Sequence, residues 1–520
     1  MSYFSTVDYL LFAGYLIATV LVGVLFVKEQ RTVKDYFLAG RSIGSVVMGL
    51  SVIAAMFSGI SYLAMPGEIY GHGFAFAWGI LSFFAITPFV TLVMLPLFYQ
   101  SRFYTAYQYL EERFDNKVRV LASGLFILRV LLWLGAATYA PALALEQVTN
   151  IPLWVTILCT GLVTTVYTTL GGMKAVIWTD LLQLGVLFGG QLLIVIVALG
   201  KIPGGIEGVY QMASDAGRFK VETTFDPTAR ITLWTILLAA PLLNLVQLGT
   251  DQVAVQRYMT ARSLRESKRG LWLKLWLFFP IGGLFFVTGL TLWAFYQQGP
   301  DPLATGMISK ADRILPYFVV HELPKGFPGI LIAAIYAASM STVSAGLNSL
   351  SSATLIDFGR IKHGGSAAQE ERHLRKAQIL TVFFGILVTG LAFVIDGMGQ
   401  TLAESVNNII GLVGGPMVGL FLLGMLVPRA NAAGAITGVT VGFGALVFFF
   451  LLGDPKIGTM KIPVGTYLFG GPWELSFMWY AMYGCIVTTV VGLVVSLCTA
   501  PPPDAKLEGL VWQRRPKPED

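Results

Sequence analysis

The chain has 520 residues, of which 55% are hydrophobic and only 12% charged, with a mean hydropathy of +0.71. Soluble domains carry about 25% charged residues, so the composition is that of a polytopic membrane protein. The net charge of +6 is no signal for nucleic acid, and its placement carries more information than its size.

Apolar runs of roughly 20 residues, the length that spans a bilayer, recur about thirteen times. They lie near 8–27, 44–65, 77–98, 118–145, 152–170, 176–198, 232–252, 273–297, 328–355, 377–396, 403–426, 431–452 and 475–498. The first lacks a basic n-region and a small-residue cleavage site, so it reads as a retained helix and not a signal peptide. The second is interrupted at Ser58-Gly59 and ended by Pro66-Gly67. Just beyond it, Glu68 either caps an outer vestibule or is solvated.

Arg129 and Glu146 lie in or at the end of the fourth run. A buried arginine can neutralise a carboxylate substrate, or it can snorkel or bond a helix carbonyl; the structural role is favoured. The sixth run carries Asp180, and a lone carboxylate at membrane depth reads as functional. Its bland alternative is a pair with nearby Lys174. The seventh run contains Pro241 and Gly249 and ends in Asp251-Gln252 and Gln256-Arg257, read as a gate or a helix-end salt bridge. The ninth carries Ser339, Ser341, Thr342, Ser344, Ser349, Ser351 and Ser352. A helix tolerates hydroxyls in lipid because each bonds back to it, but this density suggests an oxygen-lined site for a small hard cation. Ser341 and Thr342, with the Ala338 carbonyl one turn earlier, are its candidate ligands. The three cysteines (Cys159, Cys485, Cys498) read as inert thiols. The Pro-rich tail after Cys498 reads as disordered.

Basic residues cluster after the first run (Lys28, Arg31, Lys34, Arg41), the third (Arg102, Arg113, Lys117, Arg119) and the seventh (Arg257, Arg262, Arg265, Lys268, Arg269). They recur after the ninth (Arg360, Lys362, Arg372, Arg375, Lys376) and in the tail. The positive-inside rule then puts the N-terminus outside and the C-terminus in the cytoplasm, in keeping with an odd helix count. The interrupted second and seventh runs stand five helices apart. Paired broken helices in matching positions point to the binding site of an inverted-repeat transporter. The alternative is that Gly and Pro merely kink them. No nucleophile–base pair, phosphate loop or metal cluster supports an enzyme.

The segments YTTLGGMKAVIWTD (167–180) and GLVGGPMVGLFLLGMLVPRANAAGA (411–435) resemble the two hallmark stretches of the sodium:solute symporter family, which includes the sodium/glucose cotransporters. The resemblance covers about residues 5–500. YAPALALEQVT (139–149), PGEIYGHG (66–73) and GTDQVAVQRY (249–258) look most like the branch of sodium-dependent multivitamin, monocarboxylate and iodide transporters and their bacterial relatives. The resemblance implies an all-α, LeuT-like fold of about thirteen membrane helices. Its parts would be a first helix and cytoplasmic loop (1–43), inverted repeat 1 (44–198), an extracellular loop (199–231), inverted repeat 2 (232–426), two C-terminal helices (427–500) and a cytoplasmic tail (501–520).

It also implies Na⁺ as the coupling ion. Its ligands would be the backbone carbonyls of Ala54, Phe57 and Ala338 and the hydroxyls of Ser341 and Thr342. A second sodium site would use Asp180, Ser341 and Ser344, but Ala345 stands where a further hydroxyl is expected. Substrate positions would be Ser58, Ser61, Asn244 and Gln247. The galactose symporter of the family has a glutamine at the position of Ser61 and a stacking tyrosine at that of Gln247, so a small anion such as a monocarboxylate or vitamin-like acid fits better than a sugar; a sugar or sialic acid is the alternative substrate. The expected partners are that solute, Na⁺ and the lipid of the cell membrane, with no nucleic acid, and the chain is expected to act as a monomer. The rival readings are a transport-like sensor, for which the short tail offers no signalling domain, and an uncoupled facilitator, which leaves the Ser341–Thr342 hydroxyls unexplained.

Overall fold

A computed structural model describes residues 4–100, 103–149, 151–324, 326–359, 366–394, 402–453 and 476–514. Among these, nine helices are long and apolar enough to cross a membrane. Two helix pairs, Ser45–Met56 with Gly59–His72 and Thr235–Thr250 with Gln252–Met259, are each bent at a short break, by 63° and 50°, and raise the number to eleven. The expected thirteen is therefore not established, and the difference lies in two places. Runs 152–170 and 176–198 form one 49-residue helix, Leu153–Lys201, kinked at Gly172. At about 1.5 Å per residue it is more than twice the thickness of a hydrocarbon core. The joint needs glycine: φ is +54°, and a Cβ would lie 2.8 Å from Gln30 Oε1. The run near 431–452 yields an apolar helix, Ala432–Phe448, shorter than a full span.

Contacts divide the chain into two compact units. One comprises Met1–Ile80, Val130–Lys220 and Gln256–Val406; the other comprises Leu81–Arg129, Val221–Val255 and Asn407–Asp520. Each draws on both of the expected repeats, so this division runs across the repeat assignment and leaves it a matter of sequence.

In the first unit the serine-rich helix Phe327–Ala353 is the core, with every residue from Leu331 to Ala353 buried. Its small residues allow backbones to come close. Ser339 donates to the Ala137 carbonyl. The Asp8 carboxylate accepts the Gly329 amide at 2.8 Å, placing a negative group at the helix N-terminus, where it is favoured. Helix Gly59–His72 runs through Pro66-Gly67, which the sequence reading took as its end. Pro66 cannot bond the Tyr62 carbonyl, and the Gln191 side-chain amide reaches that oxygen instead, at 3.5 Å.

In the second unit Arg113 is fully buried. Its guanidinium donates to the carbonyls of Gly424 and Val427, both at 2.9 Å, at the end of helix Leu402–Leu426, where a cation opposes the helix dipole. The tail, expected to be disordered, packs here as far as it is described. Leu507, Leu510 and Val511 are buried, and the Leu510 carbonyl accepts the Tyr109 hydroxyl at 2.8 Å. The three apolar side chains supply the anchoring that the tail's overall composition conceals.

Candidate functional site

The first broken helix opens where expected. Helix Ser45–Met56 stops at Phe57, whose backbone turns to φ −93°, ψ 100°. Ser58 follows in extended geometry and caps the next helix, accepting the Ser61 amide at 3.2 Å. The last carbonyls of the first half, Ala54 among them, lose the amides that would continue the ladder. The serine-rich helix brackets this gap. On one side a Cβ at Gly59 would sit 3.0 Å from Ser339 Cβ, so the glycine lets the second half lie close without displacing Ser339. On the other side Ser51 donates to Asp180 at 2.6 Å, and Asp180 accepts Ser341 at 2.8 Å. Ala54, Phe57, Ala338, Ser341 and Thr342 are each at most 2% exposed.

The hydroxyls of the serine-rich helix divide by task. Ser349 and Ser352 donate to Gln256 Oε1, at 2.9 and 3.3 Å. Gln256 in turn donates to the Phe37 carbonyl and Asn348 Oδ1. Ser351 bonds Thr381 at 2.8 Å, and Ser344 donates to the Ser341 carbonyl at 3.0 Å. These are packing bonds. Thr342 differs: its Oγ1 is buried with no hydrogen-bond partner. An unsatisfied buried hydroxyl costs about 1–3 kcal/mol. Ser341 spends its proton on Asp180 and keeps its lone pairs. Two hydroxyl oxygens beside freed helix-end carbonyls are the donor set a hard cation takes, so these residues fit Na⁺.

Asp180 is not partnered by Lys174. Lys174 pairs with Glu29, and Asp180 pairs with Arg257 at 2.9 Å, both side chains being fully buried. Arg257 Nε also donates to Ser51 at 2.9 Å. Ser51 and this role of Arg257 were not foreseen. A carboxylate in an apolar run demands a countercharge, but in the sequence Arg257 reads as one of the basic residues that follow its helix. Of the expected second sodium set, Asp180 and Ser341 are bonded to each other, and Ser344 is turned to its own helix.

The second broken helix parts at Asp251 (φ −83°, ψ 122°), after a wide π-type turn over Val246–Thr250, not at Pro241. Asp251 accepts the Val253 amide at 3.0 Å and pairs with Arg129 at 2.6 Å, with side chains 6% and 4% exposed. Arg129 is thus buried on an ion pair and does not snorkel. In the same unit Asn244, half-buried, donates to Ser82 at 2.8 Å, and Gln247 is half-buried. In the other unit Ser58 is buried and Ser61 half-buried, their hydroxyls 3.3 Å apart. Glu68 is buried, not solvated. Glu146 lines a cavity of about 390 Å³ with Tyr139, Trp154 and Phe393.

The sodium:solute symporter family model matches residues 36–442. Sodium-coupled monocarboxylate transporter 1 of Mus musculus is 32% identical over 95% of this chain and 87% of its own length. The sodium-dependent multivitamin transporter of Oryctolagus cuniculus is 32% identical over 96% and 83%. Among solved structures, a Na⁺-coupled sialic acid symporter in a substrate-bound outward-open state superposes with a TM-score of 0.83 at 32% identity, covering 96% of this chain and 99% of that one.

Proposed function

The chain belongs to the sodium:solute symporter family, a multi-pass membrane carrier with Na⁺ as coupling ion, and from that premise we propose that it imports a small organic anion, a monocarboxylate or vitamin-like acid. The observation that carries the anion is the break at Phe57–Ser58. The 14-residue helix Gly59–His72 starts there, its N-terminus held by Ser58. A helix N-terminus favours negative charge, and half-helix N-termini are where carriers of this architecture meet carboxylates. The names of the monocarboxylate and multivitamin relatives support the same class. Sialic acid, the cargo named for the solved neighbour, is a larger carboxylate and the second reading.

Na⁺ takes the carbonyls of Ala54, Phe57 and Ala338 and the hydroxyls of Ser341 and Thr342. By binding one state better than the other it shifts the conformational equilibrium, which a ligand of equal affinity for both cannot do. Ser58, Ser61, Asn244 and Gln247 are the candidate substrate contacts, each resting on its place at or near a break in its own helix. The N-terminus faces outside and the C-terminus the cytoplasm, and the unit of transport is one chain.

Stoichiometry sets the power of such a carrier. One Na⁺ with a monovalent anion moves no net charge, so a tenfold gradient, about 1.4 kcal/mol, sustains about tenfold accumulation. A second Na⁺ would add about 1.4 kcal/mol more, and about 2.3 from ~100 mV acting on the net charge, for several-thousand-fold accumulation. The test is uptake into proteoliposomes of labelled lactate, pyruvate, pantothenate, biotin, sialic acid, iodide and glucose, with and without Na⁺. Na⁺-dependent uptake of a carboxylate is expected. Uptake of glucose alone, or uptake indifferent to Na⁺, would refute the proposal.

A further inference from the structure

We infer that Arg257 is a tethered cation that holds the Asp180 carboxylate in place of a second Na⁺, so that the chain couples one Na⁺ per turnover. This rests on the symport reading and specifies its ion count.

The carboxylate is already fully engaged. Oδ1 accepts Ser341 at 2.8 Å, and Oδ2 accepts Ser51 at 2.6 Å and Arg257 at 2.9 Å. Both charged side chains are fully buried. A Na⁺ on Asp180 would put two positive charges against one negative charge, in surroundings that screen poorly. The guanidinium would have to leave, and it is held from several directions. Its Nε donates to Ser51. The preceding residue, Gln256, is pinned by Phe37 and Asn348 at 2.8 and 2.7 Å. Thr260 donates to the Arg257 carbonyl at 2.6 Å, and the Thr260 carbonyl accepts the Ile43 amide at 3.1 Å. Arginine suits this place better than lysine because its planar fork gives several donors in fixed directions.

The rest of the expected ligand shell points the same way: Ala345 offers no hydroxyl, which leaves Ser344 to complete it alone. The arrangement also gives Asp180 a task without a second ion. Neutralised by Arg257, it takes the Ser341 proton and leaves that oxygen's lone pairs free for the one Na⁺ beside Thr342. Arg257 is in this sense a positioning residue: it acts on the ion through Asp180 and Ser341.

The experiment is equilibrium binding of ²²Na⁺ to the purified full-length protein, which needs no knowledge of the substrate. Wild type should bind one Na⁺ per chain, and R257K, which keeps the charge, should do the same. R257Q frees the carboxylate and should bind two, with the Hill coefficient of Na⁺-dependent uptake rising from near one towards two. D180N/R257Q removes both charges together, leaves no bare buried ion, and should still bind one; it decides the matter should R257Q not fold. Two ions in wild type, one ion in folded R257Q, or no ion in a folded double variant would overturn the inference. No ion in wild type would instead remove the symport reading on which it rests.

Discussion

Thr342→Val exchanges one hydroxyl for a methyl group at nearly constant shape, and the structure gives the change opposite signs in two conditions. Thr342 is fully buried and its Oγ1 has no partner. Without Na⁺, removing an unsatisfied hydroxyl should raise stability by about 1–2 kcal/mol, part of the desolvation cost of an unpaired polar group. With Na⁺, the site loses an oxygen on a charged partner, a contact worth about 1.5–3 kcal/mol, so half-saturating Na⁺ should rise about 10–150-fold. Thermal unfolding of the purified protein, in choline chloride and then across a Na⁺ titration, reads both. At a Na⁺ concentration 100 times the wild-type dissociation constant, wild type gains about 2.7 kcal/mol, while a variant weakened ~30-fold gains below about 1. A Val variant less stable than wild type in choline would mean that Oγ1 has a partner after all. An unchanged Na⁺-induced gain would remove Thr342 from the ion site.

Asp180→Asn and Arg257→Gln should each lower stability by about 3–5 kcal/mol, the cost of stranding one member of a buried pair, and the double variant should lose far less than the sum; additive losses in a denaturation cycle would show the two groups to be uncoupled. Arg129→Leu should carry a similar loss through Asp251, and Arg129→Leu/Asp251→Asn should recover most of it; a wild-type melting curve for Arg129→Leu alone would dismiss the pair. Gln247→Ala should change the KM or preference for the transported acid more than Na⁺ affinity, and unchanged kinetics for every transported solute would move the cavity elsewhere. Gly172→Ala should cost more than about 1 kcal/mol, since φ is +54° and the new Cβ meets Gln30; expression and melting at wild-type levels would contradict the joint.

The sequence disclosed what depends on local chemistry. Ser58-Gly59 is where the first helix breaks, because a capping serine and a residue without a side chain both favour a new start there. The burial of the serine-rich helix follows from small and apolar residues on every side. Less legible was anything decided by distant packing. Pro66 reads as a helix end in isolation, and it continues the helix because Gln191, far along the chain, satisfies the carbonyl it abandons. The joint at Gly172 reads as a loop between two helices, because nothing local tells that Gln30 and Tyr36 crowd the glycine. The substrate positions were placed by resemblance, and Asn244 and Gln247 lie on a helix whose break falls at Asp251, one to two turns beyond them.

Basic residues in a membrane chain serve two ends, and the structure separates them. Arg113, Arg129 and Arg257 are buried and each holds an internal partner: helix-end carbonyls, Asp251 and Asp180 respectively. Arg262, Arg265 and Arg269 are by contrast exposed, with Lys268 half-buried beside them. The same separation explains why Asp180 and Arg257 found each other 77 residues apart. Once a carboxylate is committed to the membrane interior it needs a countercharge there, and a buried arginine with its planar fork of donors meets that need where Lys174, held by Glu29, does not.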